Sequence, residues 1–353
     1  MKILITEKPG YNSYSISLIK AYQELGHTVV CDSSNFFSSN FIPDILHIQW
    51  PETLYKRYIL CDDNMEQQLQ IVRNKLDYFR NHNTKIIHTI HNIISHNTTT
   101  NIDIKFYKLF IEKADLLIHH CKKSIELTKN QYACAKKKKN IICKHGDFLI
   151  DYKSVDKNEA IKLLNIPKEK FVILNFGNQQ KYKGIDNINK IFGKLKLKNK
   201  YLLNVGNYSY SGYSKLKKEL MLLYNFYKEK RTFTHQKFIY KPIKISEIPL
   251  VFSAADVVLL GHNAGLNSGV LNMSATFSKP VVFPKIGCFT EQMEGWEHKS
   301  YSVNQTSEAV ECIEHYAELK RKNEFIFDNR LWLKNNSWNK HVGNILNELE
   351  KIS

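Results

Sequence analysis

The sequence predicts an α/β protein made of two doubly wound domains. Short apolar runs alternate with amphipathic helical patterns along nearly all of the 353 residues, which favours parallel sheets covered by helices. The runs are strand-sized and continuous rather than alternating, as in strands that are buried on both faces. A chain of this length suits two domains, each large enough for its own core.

The first domain is expected over residues 1–150 and opens with a βαβ unit. Its strands are predicted at 2–5, 28–30, 43–50, 85–90, 115–119 and 140–142, and its main helices at 14–25, 65–81, 104–114 and 123–132. The polar run 151–158 is expected to link the domains.

The second domain is expected over residues 151–335. Its strands are predicted at 171–176, 201–206, 238–240, 257–260 and 281–283. Helices are predicted between them, with further helices at 307–323 and from 336 to the end of the chain.

The segment 257–291 gives the strongest local indication of a ligand. A turn rich in Gly and Ser separates the apolar run 257–260 from the helix 270–277, and such turns lie at the ligand-binding edge of open α/β sheets. The N–H groups of Ser268, Gly269 and Val270 are expected at the helix N-terminus, where backbone donors and the helix dipole favour phosphate. Many α/β proteins have such a turn without a ligand.

This segment resembles the donor-nucleotide segment of GT-B glycosyltransferases, in particular family 4-type enzymes of capsular polysaccharide and exopolysaccharide synthesis. The matching residues are Asn267, Ser268, Gly269, Ala275, Ser278, Lys279, Pro280, Val281, Pro284, Gly287 and Glu291. The resemblance covers nearly the whole chain. It implies a GT-B fold with two Rossmann-like domains facing a central cleft, the acceptor in the first and the donor in the second. It also implies a last helix, 336–353, that crosses back onto the first domain.

The loop 176–184 resembles the loop with which these enzymes grip the donor diphosphate. Gly177 and Lys183 match it, whereas Asn178 or Gln180 stands where the family has an arginine. A lysine beside a glycine turn places a point charge against phosphate. The alternative for Lys183 is a surface lysine at a helix start.

Many retaining relatives carry two glutamates around the phosphate turn, and Leu266 and Ser274 stand at those positions. Glu291 is then the candidate acceptor for the ribose hydroxyls, or else an ordinary carboxylate at a helix N-terminus. Tyr240 resembles the residue that borders the nucleobase, or else belongs to the core.

Candidate acceptor-side residues follow two strands of the first domain. Trp50 and Glu52 follow one strand, His91 and Asn92 follow another, and parallel strand ends meet at one edge. Glycosyl transfer needs a base near the attacking hydroxyl, for which His91 and Glu52 are the candidates. Trp50, Asn92 and Glu7 are the candidate sugar-binding residues. A structural histidine, and a tryptophan that covers the sheet edge, are the alternatives.

The net charge of +17 calls for an anionic partner such as a phosphorylated substrate or a lipid surface. Lys122–Lys123 and the run 136–139 either contact headgroups or are solvated. No RRM, HTH or KH signature is present, so nucleic acid is not expected.

No signal peptide or transmembrane run is visible in the sequence, and seven cysteines without paired spacing favour reduced thiols in the cytoplasm. No cofactor or metal is expected, because no Cys/His ligand set is present and Asp62–Asp63 is not a DxD motif.

The resemblance implies transfer of a hexose from a UDP- or GDP-sugar to a saccharide acceptor. It further implies a lipid-linked acceptor at the inner face of the membrane, in bacterial surface polysaccharide synthesis. Sugar-nucleotide epimerases and phosphorylases share the fold and are alternatives. Because the arginine and both glutamates are missing, a non-catalytic, donor-binding partner of a polysaccharide assembly complex is another. The missing glutamates favour inversion of stereochemistry.

Overall fold

A computed structural model describes residues 1–8, 12–38, 40–58, 65–94, 101–148, 155–207, 214–230, 234–240 and 243–352. The chain forms two compact units, Met1–Gly146 with Asn335–Ser353, and Asp147–Lys334. The boundary expected after residue 150 therefore lies after residue 146. Asp62–Asp63 and residues 151–154 of the expected linker lie outside the described residues.

The first unit is built on a parallel sheet in the order β2-β1-β3-β4-β5-β6 in the described part of the chain. The interior strands are buried on both faces, as the continuous apolar runs predict. The strands are β1 (Lys2–Ile5), β2 (Thr28–Cys31), β3 (Ile45–Ile48), β4 (Lys85–Thr89), β5 (Leu116–His119) and β6 (Lys139–Ile142).

The helices of this unit pack on both faces of the sheet and include two short ones, α2 and α3, that the sequence pattern does not predict. Asn12 caps α1 by accepting the N–H of Tyr14 at 2.9 Å, as is usual for an N-cap asparagine. The helices are α1 (Ser13–Glu24), α2 (Ser33–Ser38), α3 (Pro51–Tyr58), α4 (Met65–Asn81), α5 (Asn101–Lys113) and α6 (Lys122–Gln131).

The second unit has a parallel sheet in the order β12-β11-β10-β7-β8-β9 among its described strands. Those strands are β7 (Phe171–Phe176), β8 (Lys200–Val205), β9 (Gln236–Ile239), β10 (Val257–Leu259), β11 (Val281–Pro284) and β12 (His298–Tyr301). Its helices are α7 (Lys157–Leu163), α8 (Ile185–Lys194), α9 (Lys215–Lys230), α10 (Ile248–Ala254), α11 (Gly269–Thr276), α12 (Phe289–Gln292), α13 (Thr306–Arg321) and α14 (Arg330–Asn335).

Each sheet has one point at which the strand order reverses. In the first unit this point lies between β1 and β3, and in the second between β7 and β10. The loops that leave the carboxyl ends of these strand pairs diverge and leave a crevice, which is where open α/β sheets bind ligands. Glu7 and Trp50 follow β1 and β3, while Lys183 and Ser268 lie in the loops after β7 and β10.

The last helix, α15 (Trp338–Glu350), packs against α1 and completes the first unit. Trp338 is buried and contacts Tyr14 edge-on, with the ring centroids 4.8 Å apart. A Cβ at Gly146 would stand 2.4 Å from the Trp338 ring, so only glycine fits there.

Cys31, Cys134, Cys143 and Cys312 are free thiols. Among the described helices, none is both long and apolar enough to cross a lipid bilayer.

Candidate functional site

Lys183 lies against the bare backbone of Gly177 at the switch point of the second unit. Gly177 has φ +108°, which an L side chain rarely adopts, and a Cβ there would stand 2.9 Å from Lys183 Nζ and 3.7 Å from Val270 Cγ2. Because Val270 belongs to the first turn of α11, the ammonium group lies beside that helix N-terminus. Three residues that the sequence assigns to the donor site are thus brought together.

Two glycines fasten the Lys183 loop to the loop that follows β10. Gly184 has φ +65°, and a Cβ there would stand 1.9 Å from the carbonyl oxygen of Gly261. Asn187 Nδ2 donates to that same oxygen at 3.0 Å and to Asn263 Oδ1 at 2.8 Å. The close approach of the two backbones fixes the position of Lys183.

Lys183 is half-buried, and no acidic side chain among the described residues offsets its desolvation. Burial lowers the pKa of its ammonium group from 10.5 to about 8, since a low-dielectric surrounding disfavours the charged form. A bound anion would restore the pKa, so the group is poised to bind negative charge.

The N-terminus of α11 offers two backbone donors rather than the three expected. The N–H groups of Gly269 and Val270 precede any helical acceptor and donate no hydrogen bond within the described part of the chain. Ser268 N–H instead donates to Gln292 Oε1 at 3.2 Å, and Gln292 Nε2 donates back to Ser268 O at 2.9 Å. The expectation of a free N–H is wrong for Ser268, because the side chain of Gln292 already satisfies it.

The phosphate turn is braced by the segment that leads into α12. Gly287 has φ +48°, and a Cβ there would stand 2.4 Å from the carbonyl oxygens of Gly265 and Leu266. Cys288 N–H donates to Leu266 O at 2.7 Å. Asn267 is half-buried in the turn, and Glu291 is half-buried on α12 in the bracing segment. Their roles in ribose and phosphate binding stay predictions.

The two positions where related enzymes carry glutamates hold packing residues. Leu266 and Ser274 are both buried, and Ser274 Oγ donates to Val270 O at 2.8 Å inside α11. Neither position supplies a carboxylate.

His262 is a candidate site residue that the sequence analysis missed. It follows β10, is 5% exposed, and contacts Tyr182 and Phe289 edge-on with ring centroids 6.0 and 5.4 Å away. Its Nδ1 is buried and has no hydrogen-bond partner among the described residues. Burial, followed by the charge of Lys183, lowers the His262 pKa to about 3. A neutral imidazole therefore accompanies the ammonium group.

Tyr240 lies at the carboxyl edge of the same sheet but at a different place. It follows β9, an edge strand three places from β10 in the sheet. Its N–H donates to Glu229 Oε1 at 2.5 Å, and its ring centroid lies 5.3 Å from that of Phe238. A role beside the nucleobase stays a prediction.

In the first unit, the ends of β3 and β4 meet as the sequence predicts. The rings of Trp50 and His91 stack, with centroids 4.0 Å and planes 12° apart, and His91 Nε2 lies 2.8 Å from Gln49 Oε1. Burial, with neighbouring His120 and His145, lowers the His91 pKa well below 6.5. The His91 imidazole is therefore neutral near pH 7.

Three buried polar atoms beside this stack have no hydrogen-bond partner among the described residues. They are Gln49 Nε2, Asn92 Nδ2 and His120 Nε2, which follow three neighbouring strands, β3, β4 and β5. Buried polar groups are normally paired, so the set is suited to a ligand with several hydroxyl groups. Asn92 was predicted, whereas Gln49 and His120 follow the same strand-end rule and were missed.

Glu52 and His47 are held by side chains of their own unit. Glu52 Oε2 accepts the hydroxyl of Tyr107 at 2.7 Å. His47 lies inside β3, with Nδ1 3.1 Å from Tyr22 Oη and Nε2 2.8 Å from Thr89 Oγ1, so it is a structural residue. Glu7 is half-buried after β1, where its carbonyl accepts the N–H of Asp32 at 3.1 Å.

No group of three or more His, Cys, Asp or Glu side chains in the described part of the chain is arranged to hold a metal ion.

The chain matches no protein-family model and no curated protein. Solved structures of glycosyltransferases with a GT-B fold match it over essentially its whole length. Sucrose-phosphate synthase from Thermosynechococcus elongatus has a TM-score of 0.73 at 14% identity, covering 100% of this chain and 99% of that one. HepE from Anabaena in complex with UDP-glucose has a TM-score of 0.72 at 16% identity, covering 99% and 100%.

A UDP-forming α,α-trehalose-phosphate synthase from Burkholderia xenovorans has a TM-score of 0.63 at 10% identity, covering 99% of each chain. These similarities confirm the predicted fold class: an α/β chain with two Rossmann-like sheets of the GT-B type.

Proposed function

We propose that this protein is a glycosyltransferase that moves a hexose from a UDP-sugar to a saccharide acceptor. The observation that carries the proposal is the half-buried Lys183, whose ammonium group lies beside Gly177 and the first turn of α11 at the switch point of the second sheet. Two similar structures carry UDP or UDP-glucose in their descriptions, which favours UDP over GDP.

The donor diphosphate binds to the Gly269 and Val270 N–H groups and to Lys183. As the bond between the sugar and the diphosphate breaks, negative charge grows on the leaving oxygen. A fixed ammonium group and helix N–H donors stabilise that charge without reorganising. This arrangement neutralises the leaving group with residues of the chain itself, so we expect transfer to persist when divalent metal is removed.

The acceptor sugar binds to the polar strand ends of the first unit. Trp50 offers an apolar ring to a sugar face, and Gln49, Asn92 and His120 offer hydrogen bonds to hydroxyl groups. Neutral His91 is in the protonation state of a general base, although its lowered pKa weakens its basicity. Glu52 is the second candidate base, with its carboxylate already accepting one hydrogen bond from Tyr107.

The finer assignment is a lipid-linked acceptor in bacterial surface polysaccharide synthesis, at the inner face of the cell membrane. It is supported by the resemblance of segment 257–291 to capsular and exopolysaccharide enzymes and by the net charge of +17, which favours contact with anionic lipid.

Calorimetry with UDP tests the donor site. Replacing Lys183 with Met keeps a chain of similar length without its charge, and should weaken UDP binding about tenfold or more. Lys181→Met, which changes an exposed lysine of the same loop, should leave the affinity unchanged. Equal UDP affinity in Lys183→Met and wild type would place the diphosphate elsewhere.

A panel of UDP-sugars, each incubated with and without saccharide acceptors, tests the reaction. UDP release that requires an acceptor identifies transfer. Conversion of the sugar nucleotide without acceptor would instead indicate an epimerase, and binding without turnover would indicate a non-catalytic donor-binding protein.

A further inference from the structure

Helix α9 turns an apolar stripe outward. Leu216, Leu220 and Leu223 are 68%, 58% and 68% exposed. Spacings of four and three residues place these side chains on one face of a helix. Tyr224, which is 50% exposed, lies at the border of this face, which we name the α9 stripe.

The opposite face of α9, which packs on the unit, is largely polar, and Met221 is its half-buried apolar residue. Asn225 is 4% exposed and lies nine positions after Leu216, on the far side of the helix. Glu229 accepts the N–H of Tyr240, and Lys228 Nζ lies 4.8 Å from the centre of the Phe238 ring. A surface helix of a globular protein normally turns its apolar face to the core. This helix has the reverse arrangement, so its apolar face is available to a partner.

Other large exposed side chains extend the apolar surface within the stripe and along one side of it. Leu222, Phe226 and Tyr227 are also exposed. Contiguous exposed apolar surface of this kind marks an interaction site or a membrane contact.

The charge around the stripe indicates which partner it fits. Residues 215–230 contain five lysines and two glutamates, and one of these glutamates, Glu229, is engaged with the unit itself. Lys215 and Lys217 are exposed and lie to either side of the leucines around the helix. The cores of protein–protein interfaces are depleted in lysine. Leucine and aromatic side chains flanked by lysine are instead the composition of helices that lie in the interface of an anionic bilayer.

The lysine clusters singled out in the sequence are less suited to this role. Lys138 Nζ donates to Glu112 O at 2.6 Å, and Lys139 Nζ lies 3.1 Å from Glu348 Oε2. Lys123 lies 2.9 Å from Glu126. These three lysines already have partners.

We propose that α9 is a membrane-surface helix: the α9 stripe inserts among the acyl chains of an anionic bilayer while Lys215 and Lys217 contact lipid phosphates. At sixteen residues and about 24 Å, the helix lies along the surface and does not span it. This role rests on the membrane location in the proposed function and assigns the contact to α9. The vesicle test needs no sugar nucleotide, so vesicle binding can fail while UDP binding persists, and UDP binding can fail while vesicle binding persists.

Flotation of the full chain with lipid vesicles tests the proposal. One vesicle set contains phosphatidylcholine alone, and the other contains phosphatidylcholine and phosphatidylglycerol in equal parts. The wild-type chain should float with the anionic vesicles. The triple variant Leu216→Ser/Leu220→Ser/Leu223→Ser should lose about tenfold or more in partition coefficient, since each leucine withdrawn from lipid forfeits apolar burial.

Matched variants distinguish binding through the α9 stripe from nonspecific effects of exposed leucines and lysines elsewhere on the unit. Leu163→Ser/Leu331→Ser changes leucines that are 60% and 70% exposed elsewhere on the second unit and should leave flotation unchanged. Lys215→Gln/Lys217→Gln should weaken binding to anionic vesicles, whereas Lys190→Gln/Lys198→Gln, at exposed lysines of the same unit, should weaken it less. An unchanged thermal midpoint shows that each variant is folded.

Hydrogen exchange locates the contact: amides of residues 215–230 should become protected when anionic vesicles are added. Equal flotation of the triple-leucine variant and the wild type overturns the proposal. Failure of the wild-type chain to bind anionic vesicles also overturns it. If that chain instead forms a dimer that the triple-leucine variant disrupts, a second copy, not lipid, covers the stripe.

Discussion

The indole of Trp50 and the imidazole of His91 lie face to face, with their ring centroids 4.0 Å apart. The two residues come from the ends of adjacent strands, β3 and β4. Gln49 Oε1, 2.8 Å from His91 Nε2, fixes the ring from its edge. His91 is therefore held in one orientation with one tautomer favoured, as a positioned base would be.

Replacing His91 with Ala should lower the transfer rate by about 10² or more, the usual contribution of a positioned proton acceptor. UDP affinity should not change, because the donor site lies in the other unit. The measurement is kcat at saturating donor, alongside calorimetry. His82→Ala, at an exposed histidine after α4, is the control, and a full rate in His91→Ala removes this residue from the mechanism.

Replacing Gly177 with Ala should displace the Lys183 ammonium group, since the new Cβ would stand 2.9 Å from Nζ at φ +108°. We expect UDP to bind about tenfold more weakly and the free energy of unfolding to fall by roughly 1–3 kcal/mol from backbone strain. The control is Gly193→Ala in α8, where a Cβ meets nothing within 4 Å. It should bind UDP normally and unfold slightly less easily, because Ala favours a helix. Normal UDP binding in Gly177→Ala would contradict the proposed site.

Replacing His262 with Phe keeps a ring in the pocket and removes its hydrogen-bonding nitrogens. If the unpartnered Nδ1 serves the bound nucleotide, UDP affinity should fall about tenfold, which corresponds to one buried hydrogen bond. His298→Phe, on the edge strand β12, is the comparison. Since burial holds the His262 pKa at about 3, this contribution should be constant from about pH 5 to pH 8. If His262→Phe weakened UDP binding only at acidic pH, that result would contradict a role for the neutral His262 imidazole.

UDP affinity should depend on pH through Lys183. Its pKa in the free protein is about 8, and the diphosphate prefers the protonated form, so binding raises that pKa. Affinity is then fully present below about pH 7 and is lost as the pH rises through 8, by up to about tenfold per unit. Titration calorimetry from about pH 7 to pH 9.5 measures the slope. Lys183→Met should flatten it, and an equally steep slope in that variant would assign the titration to another group.

The first unit should lose stability in mild acid because it buries neutral histidines. Burial lowers the pKa of His120 to about 4 and that of His341 to about 3. Below about pH 6.5 these histidines are protonated in the unfolded chain but stay neutral in the folded protein. The free energy of unfolding therefore falls as the pH falls. The slope is up to about 1.4 kcal/mol per pH unit for each histidine.

Chemical denaturation at several pH values checks this dependence. His120→Gln should make the slope shallower, whereas His82→Gln, at an exposed position, should leave it unchanged. A pH-independent free energy of unfolding between about pH 4.5 and pH 6.5 would contradict the neutral state of these rings.

The apolar runs of the sequence predicted the interior strands well, because a strand buried on both faces must be apolar at every position. Strand β12 was missed, since its residues His298–Tyr301 lie at the sheet edge and are polar. Helices α2 and α3 were missed because they are too short to show a helical period in the sequence. Their apolar residues can be recognised as core residues only once the fold is known.

The turn between β10 and α11 also shows which details the sequence could not predict. Its position after β10 was predicted from glycine and serine spacing. The pairing of Ser268 with Gln292, twenty-four residues later, was not, because a side chain from another element decides which N–H stays free. His262 could have been found, since it follows a strand end just as His91 does.

The burial of Trp338 against Tyr14 and Gly146 has a consequence for biosynthesis. About 190 residues separate Gly146 from Trp338, so a ribosome working at roughly 5–20 residues per second needs on the order of ten seconds or more to deliver the indole. During that interval the surface around Tyr14 and Gly146 that Trp338 later covers stays exposed in the nascent chain. Premature termination before codon 338 should therefore leave a product that chaperones retain, even though every strand of its first sheet has been made.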